Sequence, residues 1–255
     1  MKIIRKTVIA LTMVVSASAF AANPGGVEEF RYSWRLRGGV RLLAGLMFPT
    51  SGVGNLRTTF GDTIHSELLI TAPNGKQGGF YEYESQMDES AKTLVTSHGY
   101  AWGKKTRNER TVFDYTKGLA RINKTTPEDT EYRVKKLPEA DGQYRDVLTA
   151  IYFLRQNAQS INAPMQTTIY SDGREYPVIF KPGETKPFVI EGKSVNARAF
   201  HIVDAPGGKK WSGGVTVWVT NDDRRVPVRI EIQQSVASLQ LDLQKIESGA
   251  LLAGM

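Results

Sequence analysis

The stretch YAWGKKTRNER, residues 100–110, sets Tyr100 and Trp102 beside Lys104, Lys105, Arg107 and Arg110. Aromatic faces stack on sugar rings and cations attract phosphate or carboxylate, so the mixture suits an anionic glycan, lipid or glycolipid. A solvated hairpin tip has the same composition. Arg155, in the run YRDVLTAIYFLR at 144–155, poses a second question. Its helical angle groups it with Tyr144, Leu148 and Ile151, on the face a helix buries. A guanidinium there needs a carboxylate or several carbonyls, because an unpaired charge away from water is very costly. An internal ion pair meets that need, and so does an anionic ligand held beside the helix; a stem that snorkels to solvent at the helix end avoids it. The ligand-binding candidates are therefore Arg155, Tyr100, Trp102, Lys104, Lys105 and Arg107.

Other groupings are weaker. Asp222, Asp223, Arg224 and Arg225 stand together in VTVWVTNDDRRVPVRIEI, residues 215–232. Acid–base work by the two aspartates would need their pKa values pushed apart. Between two alternating apolar runs, the four charges read instead as a solvated turn, with Arg224 or Arg225 free to touch an anion. His65, His98 and His201 sit singly in separate runs without the spacing of a zinc site. No GxSxG elbow supports a nucleophilic serine, and GVGNL at 52–56 has too few glycines and no lysine for a phosphate loop. No catalytic residue, metal ligand or cofactor is assigned.

The elements that must position these residues have mostly a period of two. Phe30, Tyr32, Trp34 and Leu36 alternate with Arg31, Ser33, Arg35 and Arg37, as a half-buried strand requires. LRTTF, IHSELLITA, FYEYESQ, TLVTSHGYAW, ERTVFDY and LARINKT follow, with Gly118 taking a strained turn position in DYTKGLA. The period changes once, in residues 142–159, where Tyr144, Val147, Leu148, Ile151 and Leu154 share a helical face. Asp141 or Asp146 caps that helix, and Pro164 prevents its continuation. Strands resume from Met165, with Asp172-Gly173 and Glu191-Gly192 as turn dipeptides. Pro177 and Pro227 call for an edge or a bulge where they occur. So many short antiparallel strands must roll, close or split. The expected fold is mostly β, a large curled antiparallel meander resembling an open or spiral barrel, with one principal helix on its concave side. GGVRLLAGLMFP, residues 38–49, fits neither period and reads as core closure or an exposed apolar loop.

The chain opens with Lys2, Arg5 and Lys6, an apolar run from Val8 to Val15, and small residues up to Ala21. That is the order of a cleavable signal peptide, residues 1–21, followed by a single β-rich domain, 22–255. The expected location is the periplasm, with secretion as the alternative and no membrane span after cleavage. Loss of three basic residues leaves 30 against 26 acidic ones, a net charge of +4 that favours anionic partners without specifying one. Nucleic acid is excluded as a partner by location. Without cysteine the domain relies on its core alone.

Three stretches together, YRDVLTAIYFLR at 144–155, IEGKSVNARAF at 190–200 and VWVTNDDRRVPVRIEI at 217–232, resemble the bacterial family known as domain of unknown function 3108. The resemblance implies an exported envelope protein with a mostly β body, and supplies no catalytic residue to transfer. Three functions are then weighed. The first is non-enzymatic support of the cell envelope through binding an envelope component or protein partner. The second is a carrier for a lipid or glycolipid inside the curled sheet. The third is a hydrolase of envelope glycans or esters.

Overall fold

A computed structural model describes residues 26–38, 50–72, 79–102, 105–137, 143–211, 214–233 and 238–248. The expected leader and the core of the GGVRLLAGLMFP stretch lie outside them. Within them, fifteen strands form one sheet in the order β8-β7-β6-β5-β4-β3-β2-β1-β15-β14-β13-β12-β11-β10-β9. Every neighbouring pair is antiparallel except β9 with β10. The sheet is curled and not closed.

Its first half comprises β1 (Val27–Arg37), β2 (Ser51–Thr59), β3 (Ile64–Thr71), β4 (Gly79–Met87), β5 (Thr93–Trp102), β6 (Lys105–Asp114), β7 (Leu119–Thr125) and β8 (Thr130–Lys136). After β9 (Tyr144–Arg145) and the helix α1 (Val147–Asn157), the second half runs through β10 (Met165–Ser171), β11 (Arg174–Ile190), β12 (Lys193–Asp204), β13 (Gly214–Thr220), β14 (Pro227–Gln233) and β15 (Ser238–Ser248). β15 pairs with β1, which joins the halves. The turn dipeptides behave as read: Asp172-Gly173 and Glu191-Gly192 all have positive φ, as a two-residue hairpin turn needs, and Gly118 has φ 61°. Pro227 meets a register shift opposite Val219, and Pro177 stands just before the pairing of β11 with β12 begins at Val178.

The helix lies in the concavity, in contact with β3 and β4 on one side and β9, β10 and β13 on the other. Those strands are far apart in sheet order, so only a sheet wrapped about the helix can present both sets to it. Leu148, Ile151 and Leu154 join Phe30, Tyr32, Phe180, Phe200, Val217 and Leu241 in one apolar core. The helix starts later than its periodicity suggests. Asp146 accepts hydrogen bonds from the amides of Leu148 and Thr149, while the Thr149 hydroxyl accepts one from the Asp146 amide, a complete capping box. Tyr144, expected on the helical face, therefore belongs to β9.

The remaining gap in the cylinder, between β8 and the β9–β10 end, is a seam closed by side chains. Phe113, Ala120 and Leu137 pack there with Tyr144 and Tyr170. Lys135 donates a hydrogen bond to the Gly173 carbonyl across it.

Candidate functional site

A cluster of polar residues gathers beside that seam. Alternation aims Tyr83 and Ser85 of β4, Thr96 and His98 of β5, and Glu109 and Thr111 of β6 into one cleft, completed by Asp146 at the start of α1 and by Tyr170, Ser171 and Asp172 at the end of β10. The cleft measures about 380 Å³ out to its mouth, and its enclosed part has room for about one water or ion. In the β5–β6 register His98 stands directly opposite Glu109, and in the β4–β5 register it stands opposite Tyr83, on which its ring stacks at 6.3 Å.

Four charged or titratable groups meet at one point. The Arg107 Nη2 donates to Glu109 Oε2 at 2.6 Å and to Asp172 Oδ1 at 3.2 Å, and His98 Nε2 is 3.1 Å from the same Asp172 oxygen. The hydrogen bond from His98 holds the Asp172 carboxyl below its ordinary pKa, with Arg107 and Arg174 adding to the effect. Deeper in, the Ser85 hydroxyl donates to Asp146 Oδ2 at 2.5 Å. Burial pushes the Asp146 carboxyl up in spite of that bond and the two capping amides. Burial likewise raises the Tyr170 phenol, and the neighbouring Glu109 charge raises it further. The Tyr170 hydroxyl, next to Thr111, meets no hydrogen-bond partner at proper geometry among the described residues.

His98, Glu109 and Asp172 are residue types that ligate metals, and their ligating atoms all lie within 4.8 Å of one another. Sequence spacing assigns no metal ligand, yet the curl brings three together. His98 and Glu109 approach through hairpin register. Asp172 arrives from a turn on the far side of the seam.

A family model for proteins of unknown function, DUF3108, matches residues 53–244. The chain belongs to that family. Comparison with curated proteins finds no match. Among solved structures, it is similar to a β-barrel-like protein of domain of unknown function DUF1849 from Brucella abortus, with TM-score 0.57, 11% identity, and coverage of 89% of this chain and 99% of that one. That likeness establishes the fold alone. The Mycobacterium tuberculosis lipoprotein LppX also aligns, over 88% of each chain at 14% identity, but with TM-score 0.25.

The ligand candidates read from sequence fall in two places. Tyr100 faces Arg107 across the β5–β6 pair and packs its ring 5.9 Å from that of Tyr81. Arg107 is engaged with two carboxylates instead of being offered to an anion. Lys104 and the side chains of Trp102 and Lys105 lie outside the described residues. Arg155 is on the other side of the helix, only 1% exposed, and forms a bidentate pair with the equally buried Glu28 at 2.7 and 3.0 Å. Its Nε donates to the Arg225 carbonyl at 2.9 Å. Of the three roles considered for it, an internal ion pair, a ligand anchor and a stem that snorkels to solvent, the internal ion pair is the one observed.

The NDDRR turn departs from its expected solvated state. Asp222 does pair with Arg224 at the surface, but Arg225 is buried and donates to the Gln156 carbonyl at 2.6 Å and to Gln159 Oε1 at 3.3 Å. Gln156 lies in the last turn of α1, where carbonyls lack an intrahelical partner, and Arg225 supplies the donor. The turn is thus a clamp on the C-terminal end of α1.

Proposed function

We propose that this protein is a non-enzymatic binding protein of the bacterial envelope, exported by residues 1–21, that engages an envelope component or protein partner from its outer surface or seam cleft. One observation carries the choice of surface over interior: the concavity is occupied by α1 and by core side chains. Phe30, Phe180, Phe200 and Leu154 are all fully buried, and the sealed Glu28–Arg155 pair lies among them. An acyl chain sheltered inside would have to displace that packing, which is as dense as any protein interior. Among the described residues no helix is long and apolar enough to cross a membrane.

The seam favours one second reading. Because side chains and not a continuous backbone ladder close it, the sheet has a place to open, and a carrier for lipid or glycolipid would use it. One experiment separates the two. The processed protein, prepared without detergent, is extracted for lipid mass spectrometry and is separately titrated onto isolated cell envelopes. The binding reading expects saturable association and no stoichiometric lipid. Stoichiometric lipid would transfer the assignment to a carrier, and absence of both would sink each of them.

A further inference from the structure

We propose that His98, Glu109 and Asp172 form a site for one divalent transition ion of the zinc class, whose place is taken by the Arg107 guanidinium when no metal is bound. The proposal goes beyond envelope binding and does not depend on it.

The chemistry of the donors selects the ion. One imidazole nitrogen and two carboxylates suit zinc and its neighbours, whereas magnesium and calcium prefer oxygen throughout. Two ligands each about 2.1 Å from one ion, at tetrahedral or octahedral angles, stand about 3.0–3.4 Å apart. His98 Nε2 and Asp172 Oδ1 already stand at 3.1 Å. The widest separation in the trio is bounded at 4.8 Å, so closure needs a shift of little over about 1 Å, within reach of a carboxylate rotation.

Arg107 marks where the charge belongs. Its Nη2 touches both carboxylates, so a cation already occupies their point of convergence. Part of that side chain, 28%, is exposed, which gives the guanidinium a path into solvent when an ion replaces it. With metal bound, two carboxylates balance the ion's two charges.

A second, independent observation points to a ligand. Tyr170 is only 2% exposed and lines the same cleft, and its hydroxyl, beside Thr111, makes no well-formed hydrogen bond among the described residues. Buried polar groups are normally bonded, and a water in the open coordination position would satisfy it. The site would also span the seam, since His98 and Glu109 come from β5 and β6 and Asp172 from the β10–β11 turn. An ion would pin the one edge that the backbone ladder leaves open.

The test uses the untagged processed chain, with Zn²⁺ titrated against a chromophoric chelator and Co²⁺ followed by its visible absorption. One ion per chain is expected, with a rise in melting temperature. His98→Gln should weaken binding roughly tenfold or more, one of three ligands being gone. Arg107→Gln should tighten it, since the competing cation is removed. Circular dichroism confirms that both variants fold. Sub-stoichiometric binding overturns the proposal, and so does binding that His98→Gln leaves unchanged, which would place the ion elsewhere.

Discussion

Arg155 of the helix and Glu28 of the first strand, 127 positions apart, form a two-pronged ion pair that is sealed from solvent. The pair ties α1 to the strand at the centre of the sheet order, and the Arg155 Nε bond to the Arg225 carbonyl extends the tie to the β13–β14 turn. Truncation of one partner leaves the other charged and unpaired in the core. Arg155→Ala should therefore cost about 3–5 kcal/mol in urea unfolding. Joint replacement, Glu28→Leu with Arg155→Met, should recover most of that loss, because it removes both desolvation penalties. Wild-type stability in the single variant would refute the assignment.

Arg225 acts on the same helix at its C-terminal end. It adopts a left-handed backbone, φ 49°, to reach the Gln156 carbonyl. Arg225→Ala should remove about 1–3 kcal/mol, the cost of leaving a buried acceptor unsatisfied. Exposed Asp223 is the control: Asp223→Ala should change stability by less than about 0.5 kcal/mol. Equal effects at the two positions would mean that the turn is merely solvated.

These two contacts show what alternation can and cannot disclose. The parity of β1 was readable from Phe30, Tyr32 and Trp34, and it puts Glu28 on the inward face; its partner was not, because helix and strand meet only when the sheet curls. The capping box was legible in Asp146 and Thr149, three positions apart. β8 was not, since TEYRVKK is exposed along nearly its whole length and has no apolar side to show a period. In the cleft, the facing of His98 and Glu109 follows once the hairpin is placed between Trp102 and Lys105. Asp172 completes the group through closure of the seam, a long-range event with no local signature.

Gly52 offers a sharp test of how β2 sits against its neighbours. A Cβ there would collide with the Thr71 carbonyl oxygen and with the Trp34 indole, whose Nε1 donates to that oxygen at 2.8 Å. Backbone must move to admit it. Gly52→Ala should cost about 1–3 kcal/mol and alter the emission of Trp34. At Gly61 the nearest atom to such a Cβ is 3.6 Å away, so Gly61→Ala should stay within about 0.5 kcal/mol of the parent. Similar melting of both variants would argue against this close approach.

Asp146 makes the stability of the helix start depend on pH. Burial raises its pKa in the folded chain above the reference value of 3.8, even though two amides and Ser85 favour the charged form. Between those two values the folded chain keeps a proton that the unfolded chain has released, so stability falls as pH rises through that window. Asp146→Asn retains an oxygen for the capping amides and presents its amide nitrogen to Ser85, without a charge to bury. The Asn variant should match the wild type at the acidic end and gain on it as pH rises, remaining ahead at neutrality. Asp146→Ala, which loses the cap, should be weaker by about 0.5–2 kcal/mol even where the carboxyl is neutral. Urea midpoints followed across the acid range decide it. A constant gap between wild type and the Asn variant at every pH would show that the carboxyl titrates alike in both states, and burial would then not be what governs this residue.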